Sequence, residues 1–241
     1  MQGTTVRVAV WSALALALAA ASCSSSGSSG HSSSTTLSRP ADSARKQFLA
    51  LAARSRSATW KEEGSLTRRF TDRRKPPTAR FGLTQVQRPP DTLVLSGGTL
   101  TGQLEGKSVN CSAVRDTKLC APSGAAPSYE DQRVKDISSL ITITDPDEGW
   151  YHVAATHPGT RIAGETARCF TLKLTDPKKL AAFALATEYC YARDGVPLRT
   201  TTTRASSVDE QLPTKVTRKV TISDFNALIN KYRAEGSTPR T

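Results

Sequence analysis

Regularly spaced turn signals constrain the fold of this chain more than any other feature. From Ala58 onward, short segments rich in Thr, Val, Leu and aromatic residues are separated by pairs such as Glu63-Gly64, Gly97-Gly98 and Asp194-Gly195. Between Arg168 and Leu174, apolar and polar residues alternate with the two-residue period of a half-buried strand. Together these patterns predict a large antiparallel sheet.

Three segments have a helical period instead. The first covers residues 41–55, and the second begins after Ser128, which can cap a helix together with Asp131. The third is expected after Ser223, directly following a strand predicted at residues 215–222. One antiparallel sheet with three helices belongs to the α+β class.

The N-terminal residues predict export and lipid attachment. Arg7 precedes an apolar run at residues 8–21. That run is about 14 residues long, shorter than the roughly 20 that cross a bilayer, and is typical of a secretory signal. Small residues at 20–22 precede Cys23 and resemble the lipobox of bacterial lipoproteins, which implies a diacylglyceryl group on Cys23. The alternative is an ordinary secretory signal whose cleavage leaves Cys23 as a spare thiol.

These features divide the chain into four parts. We expect a lipoprotein signal peptide at residues 1–22, a Ser-rich flexible tether at 23–39, a single domain at 40–235 and a disordered tail at 236–241. The tether consists almost entirely of Ser, Gly and Thr, which bury little apolar surface. The predicted location is the extracytoplasmic face of the cell membrane, held there by lipid.

Four cysteines remain after Cys23, and an even number in an oxidising compartment indicates disulfides. Three pairings are possible. The local one, which joins Cys111 to Cys120 and Cys169 to Cys190, is favoured and closes loops of about 10 and 22 residues. The spacing of the cysteines does not match zinc sites, so neither a metal nor a cofactor is expected.

The net charge of +12 is unevenly distributed. Between Asp42 and Arg88 there are twelve Lys or Arg and four acidic residues. For an exported chain, basic residues 45–88 indicate an anionic membrane surface as a partner, and not nucleic acid. A solvated basic face is an equally good interpretation. The chain is expected to be a monomer.

Motifs for catalysis are missing from the sequence. It contains no Gly-x-Ser-x-Gly elbow and no metal-binding His pair. The histidines are His31, His152 and His157, and the last two are interpreted as structural. We therefore expect a protein that is not an enzyme.

The second half of the chain resembles a known group. Residues 162–165, Cys169-Phe170 and residues 190–198 are similar to a group of actinobacterial lipoproteins, and the order of elements resembles the LolA-like superfamily. The resemblance implies a half-open antiparallel β-barrel with helices packed on its concave side, around an apolar cavity that holds acyl chains.

The same resemblance implies a set of cavity-lining residues and a function. The expected lining residues are Leu93, Leu95, Leu100, Leu104, Val134, Ile137, Phe170 and Leu172. The expected function is a membrane-anchored, non-catalytic binding module for a lipid or a lipidated ligand. The alternative is a structural or sensory lipoprotein, similar to RseB, whose barrel is filled and whose surface binds a protein partner.

Overall fold

The computed structural model describes residues 40–71, 78–114, 117–120, 124–157, 159–176 and 184–235. The predicted signal peptide, the tether with Cys23 and the C-terminal tail lie outside these residues. Within the described part of the chain, no helix combines the length and apolar character needed to cross a membrane.

The described residues form three helices and thirteen strands. The helices are α1 (Pro40–Ser57), α2 (Tyr129–Ile143) and α3 (Ile222–Glu235). The strands of the first half are β1 (Trp60–Phe70), β2 (Thr78–Arg88), β3 (Asp91–Ser96), β4 (Thr99–Leu104), β5 (Lys107–Val114) and β6 (Thr117–Cys120). Those of the second half are β7 (Tyr151–Thr156), β8 (Arg161–Ile162), β9 (Glu165–Thr166), β10 (Arg168–Leu174), β11 (Ala186–Tyr191), β12 (Pro197–Thr203) and β13 (Ser207–Thr217).

Eleven of these strands form one antiparallel sheet, in the order β6-β5-β4-β3-β2-β1-β13-β12-β11-β10-β7. Strands β1 and β13 lie at its centre and join a meander from each half of the chain. The two ends of the order, β6 and β7, are not paired with each other, so the sheet is not closed. The predicted α+β class, with a large antiparallel sheet arranged as a half-open barrel, is confirmed.

Neighbouring residues of β2 show that α1 and α3 pack on opposite faces of the sheet. Val86 is fully buried in the apolar cluster beneath α3. The side-chain amide of Gln87 instead donates to the carbonyl oxygens of Ser55 and Ala58 at the end of α1, at 2.7 and 2.9 Å. Successive residues of a strand project to opposite faces. Helices α1 and α3 therefore cover opposite faces of the sheet.

Helices α1 and α3 each bury an apolar stripe, and each does so in its own cluster. The α1 cluster consists of Ala44, Phe48, Leu51, Ala52, Tyr151, Val153, Phe170, Leu172, Leu174 and Tyr191. The α3 cluster consists of Val86, Leu93, Leu95, Leu100, Cys111, Phe225, Leu228 and Tyr232. Fully burying one large apolar side chain contributes about 1.5–3 kcal/mol, so both helices are held mainly by these contacts.

The capping residue predicted for α2 is found in the structure, whereas the one predicted for α3 is not. The Ser128 hydroxyl accepts a hydrogen bond from the Asp131 amide, as predicted. The predicted Ser223 cap is wrong, because Thr221 precedes α3 and its backbone N–H donates to the Asp224 carboxylate at 2.9 Å. The helix therefore begins inside the strand predicted at residues 215–222.

The sequence predicts the last strand at residues 215–222. In the structure this strand, β13, begins at Ser207 and includes Pro213. It tolerates this proline because the register with β1 shifts there: Glu63 pairs with Lys215 and Gly64 pairs with Pro213. Bulges are among the few places in a sheet where proline fits. Gly64 permits the close approach, since a Cβ at this position would lie 2.3 Å from the Leu212 carbonyl oxygen.

Candidate functional site

The eight residues predicted to line a cavity fall into two groups. Ile137, Phe170 and Leu172 lie with the α1 cluster. Leu93, Leu95, Leu100 and Leu104 lie with the α3 cluster, on the other face of the sheet. Val134 belongs to neither, since 55% of it is exposed. The structure therefore does not bring the predicted set around one space, and a ligand role for these residues stays a prediction.

Aromatic side chains fill the space beneath α1. The Phe48 ring lies 6.0 Å from Phe170, 5.7 Å from Tyr189 and 6.4 Å from Tyr191, measured between ring centroids. Burial raises the pKa of Tyr189 to about 12 and also raises the pKa of Tyr191. Both phenols therefore stay neutral at physiological pH, and the interior beneath α1 is an uncharged aromatic core.

A pocket of about 310 Å³ lies beside the α3 cluster. It forms because β2 extends past the end of β3: Leu83 pairs with Ser96, whereas Thr78 to Gly82 have paired neighbours only in β1. The two-residue turn at Gly97 and Gly98, which joins β3 to β4, lies beside this extension. Both turn residues have positive φ values, 57° and 76°, as hairpin turns of this length require.

The lining of this pocket, which we call the β2 pocket, combines charged and apolar groups. It is lined by Arg80, Phe81, Gly82, Thr84, Leu95, Gly97, Gly98 and Lys231. The Lys231 ammonium donates to the Thr84 hydroxyl oxygen at 3.2 Å. Leu95 is buried, Phe81 is half-buried and Arg80 is exposed. The pocket therefore offers two cations, a hydroxyl and an apolar surface.

Glycines keep the β2 pocket open. A Cβ built on Gly82 or Gly98 would meet no atom within 4 Å. Gly82 projects to the same face as Thr84, two residues along the strand, so a larger side chain there would enter the pocket. Its φ lies outside the left-handed region, in contrast to Gly98 at +76°. Gly82 is therefore the position at which the pocket can be filled without backbone strain.

Both predicted disulfides are confirmed. Cys111 is bonded to Cys120 and Cys169 to Cys190, with Cα separations of 3.9 and 4.0 Å. The second bridge lies in a third cluster, the disulfide cluster, made of Trp60, Ile162, Ala167, Cys169, Cys190, Ala192, Val196 and Leu198. Glu188 Oε1 lies 3.7 Å from Cys190 Sγ. Because both sulfurs are joined to each other, this group offers no thiolate to a metal.

Many of the described basic residues between 45 and 88 have partners within the protein. Arg68 forms two hydrogen bonds to Asp209, at 2.6 and 2.7 Å, and Arg69 pairs with Glu210. Arg56 pairs with Asp136 of α2 at 2.9 Å. Residues 72–77 of this stretch lie outside the described part of the chain. An anionic membrane surface as a partner of residues 45–88 stays a prediction.

Sequence reasoning did not find the β2 pocket. Arg80 and Lys231 are separated by 151 positions, and neither belongs to a motif. The available signals were the Gly97-Gly98 turn and the isolated Gly82 inside a strand-like segment. An isolated glycine in a strand often marks a place where another group approaches closely.

No family model matches the chain. No curated protein matches it either.

Several solved structures are similar in fold. One chain from the Pseudomonas aeruginosa MucA/MucB complex is 14% identical with a TM-score of 0.39, and the match covers 72% of this chain and 56% of that chain. The chain thus spans little more than half the length of that protein. The Mycobacterium tuberculosis lipoprotein LppX is 12% identical with a TM-score of 0.39, and the match covers 73% of this chain and 98% of LppX. A LolA superfamily protein from Nitrosomonas europaea is 6% identical with a TM-score of 0.31, and the match covers 76% of this chain and 96% of that protein.

Proposed function

We propose that this chain is a non-catalytic binding module for a lipid or another apolar ligand, tethered to the outer face of a cell membrane through Cys23. The β2 pocket is the observation that carries the proposal. Its volume of about 310 Å³ is in the range of small-ligand sites. Its wall adjoins the α3 cluster through Leu95, so an apolar group that enters it leaves water.

The size of the pocket limits what it holds. Pockets for complete drug-sized ligands reach about 1,000 Å³, and this one lies near the lower end of that range. It therefore accommodates a head group and the adjoining part of an apolar chain, while the rest of a long ligand stays outside the β2 pocket.

Replacing Gly82 by Trp is expected to block binding without loss of stability. The indole enters the open space beside Leu95, and glycine in a strand costs about 0.5–1 kcal/mol relative to a residue with a side chain. Calorimetric titration of the full chain with octyl glucoside and octyl phosphate, below their micellar concentrations, measures the affinity. We expect a loss of at least about tenfold for both amphiphiles, equal to about 1.4 kcal/mol.

The matched control is Gly124→Trp, at an exposed glycine whose Cβ also meets nothing within 4 Å. It should leave binding unchanged. Equal binding by the wild type and Gly82→Trp would place the ligand elsewhere and overturn the assignment of the β2 pocket.

Replacing Cys23 by Ala is expected to abolish lipid attachment, because the thiol is the group that is acylated. The full chain is expressed in a bacterium that processes lipoproteins and is supplied with a labelled fatty acid. The wild type and the control Ser24→Ala should both carry the label, and Cys23→Ala should carry none. Labelling that survives in Cys23→Ala, or that is missing from the wild type, contradicts the anchor.

A second function, binding of a protein partner, is favoured by the filled interior beneath α1 and by the surface of α2. No residue of α2 is buried, and Val134 and Ile141 are 55% and 45% exposed, seven positions apart on one side of the helix. Organic-solvent extraction of the full chain from its native envelope discriminates between the two functions. Co-purified lipid supports the binding module, whereas its absence together with one dominant cross-linked protein supports the alternative.

A further inference from the structure

We infer that one end of the domain rests on an anionic lipid surface, and that most of the residues which make this contact lie in the second half of the chain. The inference rests on the membrane anchor of the proposed function and adds the orientation of the domain at the bilayer. The contact surface, which we call the basic end, consists of six exposed cations: Arg54, Arg161, Arg168, Arg193, Arg218 and Lys219.

The basic end forms where several chain connections meet. The last turn of α1 touches the turn between β11 and β12: Arg54 donates to the Arg193 carbonyl oxygen at 3.3 Å, and a Cβ on Gly195 would lie 2.5 Å from the Arg54 Cβ. Arg168 begins β10 and pairs in register with Tyr191, two residues before Arg193. Cations from α1, β10 and the β11–β12 turn are therefore neighbours.

Arg218, which follows β13, joins the remaining connections to this surface. Its guanidinium donates to Asp194 of the β11–β12 turn at 2.9 Å and to Glu165 of β9 at 2.6 Å. Arg161 lies in β8, the strand paired with β9, and Lys219 directly follows Arg218. The six cations therefore belong to one continuous surface.

The basic end carries more positive charge than the protein neutralises there. Asp194 and Glu165 both bind the same cation, Arg218. Within the described ranges, no carboxylate forms an ion pair with the other five cations, and Arg54 and Arg161 donate to backbone carbonyl oxygens. A surface with such an excess of cations attracts an anionic partner.

The anchor brings one anionic partner within reach of the basic end. Pro40 lies 17 positions after Cys23. A chain of this length spans at most about 60 Å. Helix α1 has 18 residues, with Arg54 in its last turn, and is therefore about 27 Å long. The chain can thus run past α1 and leave the basic end on the bilayer that holds Cys23.

Tethering also favours the bilayer over a polyanion in solution. A tethered surface meets its own bilayer at a high effective concentration, which a freely diffusing partner lacks. Anionic lipid head groups attract Lys and Arg side chains at a membrane surface. The loop between β8 and β9 exposes only small residues, Ala163 and Gly164. The contact is therefore electrostatic and does not depend on insertion of apolar side chains.

The test measures how fast arginine side chains react with phenylglyoxal in the presence of vesicles. The full chain is expressed in a bacterium that processes lipoproteins, purified, and mixed with excess vesicles. These consist of phosphatidylcholine alone or of an equal mixture of phosphatidylcholine and phosphatidylglycerol. Mass spectrometry of chymotryptic peptides reports the labelling of each arginine.

We expect Arg161, Arg168 and Arg193 to be labelled at least about threefold more slowly on the anionic vesicles than on the neutral ones. Arg80, which is exposed and pairs with Thr67 toward the other end of β1, should react equally fast on both. Molar salt should remove the difference, because it shortens the screening length to about 3 Å.

Two triple variants separate position from net charge, and Arg161 is the reporter in both. The first removes three charges from the basic end: Arg168→Gln, Arg193→Gln and Lys219→Gln. The second removes three charges from exposed positions elsewhere: Lys46→Gln, Arg80→Gln and Lys135→Gln. On anionic vesicles the first triple should label Arg161 as fast as on neutral vesicles, whereas the second should keep the slower labelling. Thermal unfolding verifies that both fold.

Each contrary outcome overturns a stated part of the inference. Equal labelling of the wild type on both kinds of vesicle, or slower labelling that molar salt does not reverse, overturns the electrostatic contact with lipid. Faster labelling of Arg161 in both triples, or only in the second, assigns the contact to net charge or to residues 45–88 and overturns the basic end.

Two further outcomes concern other partners and the anchor. Slow labelling in intact cells that anionic vesicles do not reproduce assigns the basic end to another anionic partner and overturns the contact with lipid. A chain that does not float with neutral vesicles contradicts the anchor of the proposed function. In that case the labelling of Arg161 on anionic vesicles still decides whether the basic end binds lipid.

Discussion

Removing the Cys169–Cys190 disulfide by a double substitution to Ala is expected to lower the free energy of unfolding by about 4–6 kcal/mol. The chain-entropy model gives about 3.4 kcal/mol for the loop of about 22 residues that this bridge closes. The remainder comes from packing. Both cysteines belong to the disulfide cluster, at 2% and 1% exposure, and deleting one buried heavy atom typically costs about 0.5–1.5 kcal/mol.

The matched control is the second disulfide. Replacing Cys111 and Cys120 by Ala opens a loop of about 10 residues, worth about 2.7 kcal/mol in the same model. Cys120 is exposed, so less packing is lost there. Urea unfolding of the two double variants and the wild type, under non-reducing conditions, measures the difference. A loss at Cys111–Cys120 equal to or larger than that at Cys169–Cys190 would show that burial of the bridge adds nothing to stability.

Local chemistry made a large part of the fold predictable. The Asp194-Gly195 turn joins β11 to β12, with Gly195 at φ +90°. The Ser128 cap and the local cysteine pairs depend on neighbours in the chain, and the structure confirms them. The alternation of apolar and polar residues in β10 predicts that Cys169 and Phe170 project to opposite faces of the sheet, and the structure agrees. The face that carries Cys169 is nevertheless buried, because Trp60 and Ile162 cover it from distant parts of the sequence.

Long-range packing made the rest unpredictable. An apolar helical stripe shows that a helix packs on a sheet, and it does not show on which face. The resemblance implies one cavity lined by both Leu93 and Phe170, whereas the structure places them in separate clusters on opposite faces of the sheet. The β2 pocket depends on the different lengths of β2 and β3 and on the position of Lys231 at the end of α3. None of these is encoded in a local pattern.

Glu62 is a second feature that local patterns did not single out. Its side chain is 1% exposed on the central strand β1, and Gln211 Nε2 donates to its Oε1 at 2.5 Å. Burial raises the pKa of this carboxyl to about 7, and the hydrogen bond from Gln211 opposes the rise only in part. The folded protein therefore holds a proton on Glu62 at pH values where the unfolded chain, at its ordinary pKa of 4.5, has released it.

Replacing Glu62 by Gln is therefore expected to stabilise the protein increasingly as the pH rises. A raised carboxyl pKa gives stability that is fully present below pH 4.5 and is lost as the pH rises through 7. Because a tenfold change in proton affinity is worth about 1.4 kcal/mol, the wild type should lose about 3 kcal/mol relative to Glu62→Gln between pH 4.5 and 8. Gln keeps the shape of the side chain and still accepts from Gln211. Urea unfolding at half-unit steps from pH 4.5 to 8 measures the difference.

Glu63→Gln is the control for this pH series, because it removes an exposed carboxylate from the next position of the same strand. Exposed ion pairs such as Lys61 with Glu63 contribute little, so this variant should stay within about 1 kcal/mol of the wild type throughout. Other titrating groups are common to the wild type and Glu62→Gln and cancel in their difference. A difference that stays constant from pH 4.5 to 8 would mean that Glu62 is ionised in the folded protein, and that water reaches it between the strands.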